Sequence, residues 1–336
     1  VLRQWRHRHP GRDTLGGGLS TVRTPGGVAA GHRAAVIGLP VAHSLSPVLH
    51  RTAYDSLGLD DWTYDRKEVA PSDLPGVLAE VAAPTGTGPV WAGLSVTMPH
   101  KQAILPMLDA IDPLAVVVGA VNTVVAQRAG TGRALLAGFN TDVAGIVGAL
   151  REAAWTTART TGAPDRSRAV VLGSGATACS ALAALAEIGA TDIVVAARRH
   201  AGPGRAATAA HRMDLDVSLL TWRPGEAASD GAVVEALTQA DLIVSTLPAG
   251  AADALGPSLA SALERGEGRA RGVMLDVVYA PWPTPLASTW TAAGGRSVPG
   301  RLMLLHQAVP QVALMTGRTP PVAAMREALE AASASR

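Results

Sequence analysis

The stretch Gly173-Ser174-Gly175-Ala176-Thr177-Ala178 restricts the fold of this chain more than any other. An apolar run at 168–172 leads into it, and a helical pattern follows through residue 188. This is G-x-G-x-x-A between a strand and a helix. The first glycine permits a tight turn, the second lets a pyrophosphate approach the backbone, and the small third residue allows close helix–strand packing. Gly173, Ser174, Gly175, Ala176 and Thr177 are therefore candidate dinucleotide contacts. The next strand, 192–197, ends where an NAD site places an acidic residue on the ribose. The chain instead reads Ala197-Arg198-Arg199. A missing carboxylate beside two guanidiniums favours a 2′-phosphate, and hence NADP. Further strands are expected at 217–221, 241–246 and 273–278, with Thr246 and Val277 at their ends on the rim of the same crevice.

The first half alternates strand and helix over 33–38, 47–57, 62–69, 74–81 and 90–96, which predicts an α/β layer with parallel strands. Ser46 before Pro47 reads as a helix N-cap, and Gly58 as the stop. Ser44 has no capping role to fill, and two hydroxyls this close at a strand end suit a polyhydroxy ligand. The strand at 90–96 runs into Thr97-Met98-Pro99-His100-Lys101. A helix opening at Pro99 puts Lys101 in its first turn and Ile104, Leu105 and Leu108 on its apolar face. The strand at 135–139 ends in Asn140-Thr141-Asp142 in the same manner. If the two strand tips meet, an ammonium and a carboxylate face one pocket and can move a proton to or from a hydroxyl or carbonyl. Asn122 opens an apolar strand, where its amide needs partners; structural bonding and ligand binding both fit. Helices are expected at 301–315, broken at Pro310, and at 321–332. Gln307 on the first can point into the cleft, and the irregular Tyr279, followed by Pro281 and Pro283, is not core-like.

Composition narrows the function classes. A net charge of +2, with no basic stripe interleaved with aromatics, speaks against nucleic-acid binding. The single Cys179 excludes an intrachain disulfide and reads as a small buried residue. No apolar run reaches the length of a membrane span, and no apolar stretch follows Arg3, Arg6 and Arg8, so a cytoplasmic protein without a membrane partner is expected. With one Phe and three Tyr, the core must be built from Leu, Val, Ala and Ile. Residues 1–32 read as a disordered leader and 156–167 as a loop. No metal site is expected.

Several of these segments, in order, resemble the shikimate dehydrogenase family over residues 34–332. Gly38-Leu39-Pro40-Val41-Ala42-His43-Ser44-Leu45-Ser46-Pro47 is similar to its G-x-P-[IV]-x-H-S-x-S-P segment, and Gly93 to Lys101 to its G-x-N-V-T-x-P-x-K. Gly119 to Thr123 and Gly138 to Asp142 resemble its A-V-N-T and N-T-D segments. The resemblance implies an N-terminal α/β substrate domain (33–141 with 300–332, the C-terminal helices returning to it) and a Rossmann-type NADP-binding domain (142–299). It implies reversible NADP-dependent reduction of 3-dehydroshikimate to shikimate, a step of aromatic amino acid biosynthesis. Lys101 and Asp142 become the catalytic pair. Ser44 and Ser46 bind the substrate carboxylate, and Thr97, Asn122, Tyr279 and Gln307 are further substrate contacts. A monomer or homodimer is expected. The chain departs from the family at Ser95, where Asn is usual, at Gly173-Ser174-Gly175-Ala176 in place of G-x-G-G, and at Ala197-Arg198-Arg199 in place of Asn-Arg-Thr. Two alternatives stand beside this reading: an NAD-dependent quinate or polyol dehydrogenase, and a non-catalytic nucleotide-binding regulator.

Overall fold

The computed structural model describes residues 31–153 and 167–334. Of the expected leader (1–32), residues 1–30 lie outside the described residues, as do residues 156–166 of the expected loop (156–167), and His32 already belongs to the first strand. In the first half, β1 (His32–Gly38) is followed by α1 (Ser46–Ser56), β2 (Trp62–Glu68), α2 (Leu74–Ala82) and β3 (Val90–Val96). A single turn, α3 (His100–Ala103), then β4 (Ala110–Ile111) and α4 (Pro113–Val118) lead to the hairpin of β5 (Thr123–Gln127) and β6 (Leu135–Phe139). The strand order is β2-β1-β3-β5-β6-β4. Strand β1 is parallel to both neighbours, whereas β5 runs antiparallel to β3 and β6. The three strands of the expected alternation are parallel as predicted, and the sheet becomes mixed where the β5–β6 hairpin joins it. The cause is the short link 128–134, turned by Gly130 at φ 81°. A parallel return would need a crossover of about a dozen residues or more.

Helix α5 (Asp142–Glu152) connects to the second half. There β7 (Arg168–Leu172), α6 (Ala176–Ile188), β8 (Asp192–Ala197), α7 (Ala206–Met213) and β9 (Val217–Thr221) are followed by α8 (Ala227–Thr238) and β10 (Leu242–Ser245). Then come α9 (Leu255–Glu264), β11 (Val273–Asp276), α10 (Pro285–Ala292) and β12 (Arg296–Pro299). Every pairing is parallel, in the order β9-β8-β7-β10-β11-β12. This is the 3-2-1-4-5-6 order of a doubly wound dinucleotide fold, with its switch point between β7 and β10.

The chain then returns. Helices α11 (Gly300–Thr316) and α12 (Val322–Ala334) pack Leu304, Leu305, Ala308, Val312, Met325 and Leu329 against Leu45, Leu49 and Ala53 around α1. Pro310 lies inside α11 without breaking it, contrary to expectation. Proline removes one intrahelical hydrogen bond, but Ala308 and Val312 on either side are fully buried and hold the helix in place. Helices α5 and α11 cross closely because glycines leave room. A Cβ on Gly145 would lie 2.8 Å from the Met303 carbonyl oxygen, and one on Gly148 2.5 Å from the His306 ring. Cys179 is buried, and burial pushes its thiol up to about 11, as befits a core residue. Among the described residues no helix is long and apolar enough to cross a membrane, and no cluster of three metal-ligating side chains occurs.

Candidate active site

The candidate site forms where strand tips of the first sheet converge. Gly38 ends β1 against Thr97: a Cβ there would stand 2.3 Å from Thr97 Cγ2, so only glycine allows this approach. Backbone bonds from Leu39 to Met98 (2.9 Å), Thr97 to Ile37 (2.9 Å) and Val96 to the Asn122 carbonyl (2.7 Å) lock the tips together. The Lys101 carbonyl accepts from Val121 N (2.7 Å), and Asn122 N donates to Phe139 O (3.0 Å). Lys101, Asn122 and Asp142 are thereby fixed in one frame before any side chain is considered.

Their side chains meet. Lys101 Nζ lies 2.6 Å from Asp142 Oδ2, and Asn122 Nδ2 donates to Asp142 Oδ1 at 2.8 Å. Asp142 is fully buried, while the Lys101 side chain keeps 13% of its surface. As the first residue of α5, Asp142 also stands at the positive end of a helix, which favours a carboxylate. The Asn122 amide is fixed on its other side by Thr141 N, which donates to Oδ1 at 2.7 Å. Asn122 Nδ2 also reaches Gln307 Oε1 at 3.2 Å, joining α11 to the cluster. The helix that carries Lys101 is shorter than expected: α3 opens at His100, ends at Ala103, and a 3₁₀ turn (Leu105–Met107) follows. Two prolines, Pro99 and Pro106, bracket the segment and keep it from growing.

Ser44 and Ser46 stand opposite. Leu45, not Ser46, is the N-cap of α1, and Ser46 is already its first residue. The capping reading of Ser46 is therefore wrong. Ser44 Oγ instead accepts from Ser46 N and lies 3.2 Å from Ser46 Oγ. The loop is clamped by Arg66, whose Nε and Nη2 donate to the Ser44 carbonyl at 2.9 and 2.7 Å. Tyr279 reaches over from the second half, its hydroxyl donating to His43 O at 3.3 Å. A cavity of about 190 Å³ is lined by Ser44, Ser46, Thr97 and Tyr279 together with Lys101, Asn122 and Gln307. It has room for a small polar ring, not for a dinucleotide.

The dinucleotide motif lies at the switch point of the second sheet. Gly173 adopts φ 109°, and a Cβ there would meet Thr246 Oγ1 at 2.5 Å. Thr246 donates to the Leu172 carbonyl at 2.8 Å, so β7 and β10 are tied at the rim. Ser174 is buried and accepts from Ala206 N at 3.1 Å. Gly175 differs: a Cβ there would find no atom within 4 Å, which leaves open space above the N-terminus of α6, where Ala176 and Thr177 stand. Arg198 and Arg199 are exposed just beyond β8, and Val277 N donates to Ser245 O beside Thr246. Gln102, next to Lys101, donates to the Gly204 carbonyl at 2.5 Å, linking the loop after β8 to the first half.

Comparison with known proteins gives the same picture. Residues 36–124 match the model for the shikimate dehydrogenase substrate binding domain, and residues 300–330 that for the shikimate 5′-dehydrogenase C-terminal domain. Shikimate dehydrogenase (NADP(+)) of Geobacter sp. strain M21 is 39% identical, over 88% of this chain and 93% of that protein. This chain belongs to the shikimate dehydrogenase family. The Moorella thermoacetica shikimate dehydrogenase (NADP(+)) is 35% identical over 89% of this chain and 94% of its own length. Among solved structures, Mycobacterium tuberculosis shikimate dehydrogenase superposes with a TM-score of 0.69 at 38% identity, covering 90% of this chain and 99% of that one. The Thermus thermophilus enzyme, solved in complex with NADP(H) and shikimate, gives 0.67 at 32% identity, covering 90% and 99%.

Within this family frame the residues present fit NADP. The space above Gly175 is the cradle that a Cβ would fill, and the arginines offer donors where the second strand ends. Ser95, a departure from the family pattern, lines the cavity together with Gln311, and Tyr64 and His50 lie buried beneath; the last three are not among the expected site residues. A signal existed for Gln311. It follows Gln307 by one helical turn, which places both on one face of α11.

Proposed function

We propose that this chain is an NADP-dependent shikimate dehydrogenase, interconverting 3-dehydroshikimate and shikimate in aromatic amino acid biosynthesis. The observation that carries the reading is the 2.6 Å Lys101–Asp142 contact, backed by Asn122, on a polar cavity beside a dinucleotide crevice. Residues 33–141 and 300–332 act as the substrate-binding unit and 142–299 as the cofactor unit. The chain works in the cytoplasm as a monomer or homodimer.

When bound, NADP(H) supplies hydride exchange at the carbon that bears the reacting oxygen. Gly173, Ser174, Gly175, Ala176 and Thr177 receive its pyrophosphate, Arg198 and Arg199 its 2′-phosphate, and Thr246 and Val277 border it. Ser44 and Ser46 hold the substrate carboxylate, while Thr97, Asn122, Tyr279 and Gln307 orient the ring. Lys101 donates its proton to the developing alkoxide during reduction and takes it back during oxidation. Asp142 keeps the ammonium aimed at that oxygen and accepts a hydrogen bond from the product hydroxyl. Proton transfer from a positioned group contributes roughly 10²–10⁴-fold.

The test is absorbance at 340 nm with shikimate and NADP, against quinate and NAD in all combinations. Absorbance should rise fastest with shikimate and NADP. Faster turnover of quinate with NAD would overturn the substrate and cofactor assignment. NADP binding with no turnover of either acid would point to a regulator.

A further inference from the structure

Behind the cavity wall runs a chain of buried hydrogen bonds whose direction is set at one end. Gln311 on α11 is 3% exposed, and its amide lies between two groups of opposite demand. On one side stand the Asn122 backbone carbonyl (3.3 Å) and Thr123 Oγ1 (3.0 Å). A backbone carbonyl only accepts, so the atom facing it must be Nε2, and Oε1 must face the other way. Oε1 lies 2.9 Å from Ser95 Oγ and 3.3 Å from His50 Nε2. Being an acceptor, it takes the Ser95 proton.

His50 obeys the same polarity. Burial lowers its pKa to about 4, so it is neutral near pH 7; Nε2 carries the proton toward Gln311, and Nδ1 faces the Tyr54 hydroxyl at 3.4 Å. Tyr64 completes the pattern. Its hydroxyl lies 2.6 Å from Ser95 Oγ, and its ring stacks on His50 at 4.0 Å. With the Ser95 proton already given to Gln311, Tyr64 must be the donor. Burial raises the Tyr64 pKa above its ordinary value, so that proton stays in place.

A serine hydroxyl has one proton and two lone pairs. On Ser95, which lines the cavity, the proton is committed to Gln311 and one lone pair to Tyr64. We propose that Gln311 is a positioning residue that fixes the Ser95 hydroxyl as a pure acceptor, so that this wall takes a ligand O–H and rejects a substituent that can only accept. The inference rests on shikimate as the ligand, and it assigns Gln311 and Ser95 jointly as determinants of specificity.

The test uses the full chain with NADPH, which forms a non-turning complex with shikimate. Dissociation constants are measured by calorimetry for shikimate and for two analogues, each with fluorine in place of one of the hydroxyls that is not oxidised. Fluorine cannot donate. In the parent protein one analogue should bind at least about tenfold more weakly than shikimate, the cost of two acceptors facing each other. Gln311→Met frees the Ser95 proton and should cut that ratio below about threefold. Ser95→Ala should do the same, whereas Tyr64→Phe leaves Ser95 donating to Gln311 and should keep the full ratio. General damage to the pocket would move all three variants together. An unchanged ratio in Gln311→Met overturns the proposal, as does parent protein that binds both analogues like shikimate. If Gln311→Met does not fold by circular dichroism, a full ratio retained in Ser95→Ala overturns it equally. Parent protein that neither binds nor oxidises shikimate refutes the functional reading instead, a distinct outcome.

Discussion

The two glycines of the dinucleotide motif are expected to respond in opposite ways to the same added methyl group. Gly173 sits at φ 109°, and its Cβ would lie 2.5 Å from Thr246 Oγ1. Alanine there is both strained and obstructed, and should destabilise the chain by about 2–4 kcal/mol. Gly175 sits at φ −87° with nothing within 4 Å of a Cβ. Alanine there narrows the unfolded ensemble, a gain of about 0.4–1 kcal/mol. It also replaces a glycine N-cap with a poorer one, at a cost of similar size. The terms cancel to within about 1 kcal/mol, or a melting shift of at most about 4 °C. The space that methyl enters is where the pyrophosphate must approach, so NADP affinity should fall tenfold or more. Thermal unfolding without cofactor, with NADP titration by fluorescence, reads both quantities. A Gly175→Ala protein that binds NADP like the parent would refute the cradle, whatever its stability.

Three further outcomes are expected. The depressed His50 pKa, about 4 against an ordinary 6.5, means that the unfolded chain binds more protons than the folded one between those values. The associated stability is intact above pH 6.5 and is lost as pH falls toward 4, about 2 kcal/mol of it by pH 5. Urea unfolding should show the stability difference between the parent and His50→Gln shrinking by that amount from pH 7 to pH 5; a constant difference would contradict it. Replacing Arg198 and Arg199 with alanine should raise KM for NADP by roughly 10–100-fold and leave KM for NAD within about twofold. Equal losses on both cofactors would remove the 2′-phosphate from their role. Lys101→Met leaves the buried Asp142 carboxylate with Asn122 but without its cation, and should cost about 3 kcal/mol of stability. Denaturant titration checks this, and an unchanged midpoint would count against a tightly coupled pair.

The chain declares its substrate side more openly than its supporting layer. Lys101, Asp142 and Asn122 are legible because each stands within a few residues of the end of a short apolar strand, where a polar residue has no packing role. Strand 168–172 and the glycines after it gave the second sheet, and four further parallel strands followed from apolar runs of matching length. Other features depend on contacts that no local pattern carries. Gln311 meets Ser95 across 216 residues and Asn122 across 189, and only the return of α11 brings them together. Strand β12 is four residues long with a terminal proline, too short for an alternation to register. Ser46 reads as a cap because Ser-Pro is a good capping pair, but the helix begins one residue earlier, and the hydroxyls of Ser44 and Ser46 turn to each other.

Delivery by Lys101 of the proton that accompanies hydride transfer is open to a direct kinetic test. Steady-state oxidation of shikimate with saturating NADP, followed at 340 nm for the parent and Lys101→Met, addresses it directly. In the variant kcat should fall by roughly 10²–10⁴-fold, with KM for shikimate within about threefold. A variant whose kcat stays within twofold of the parent would contradict it.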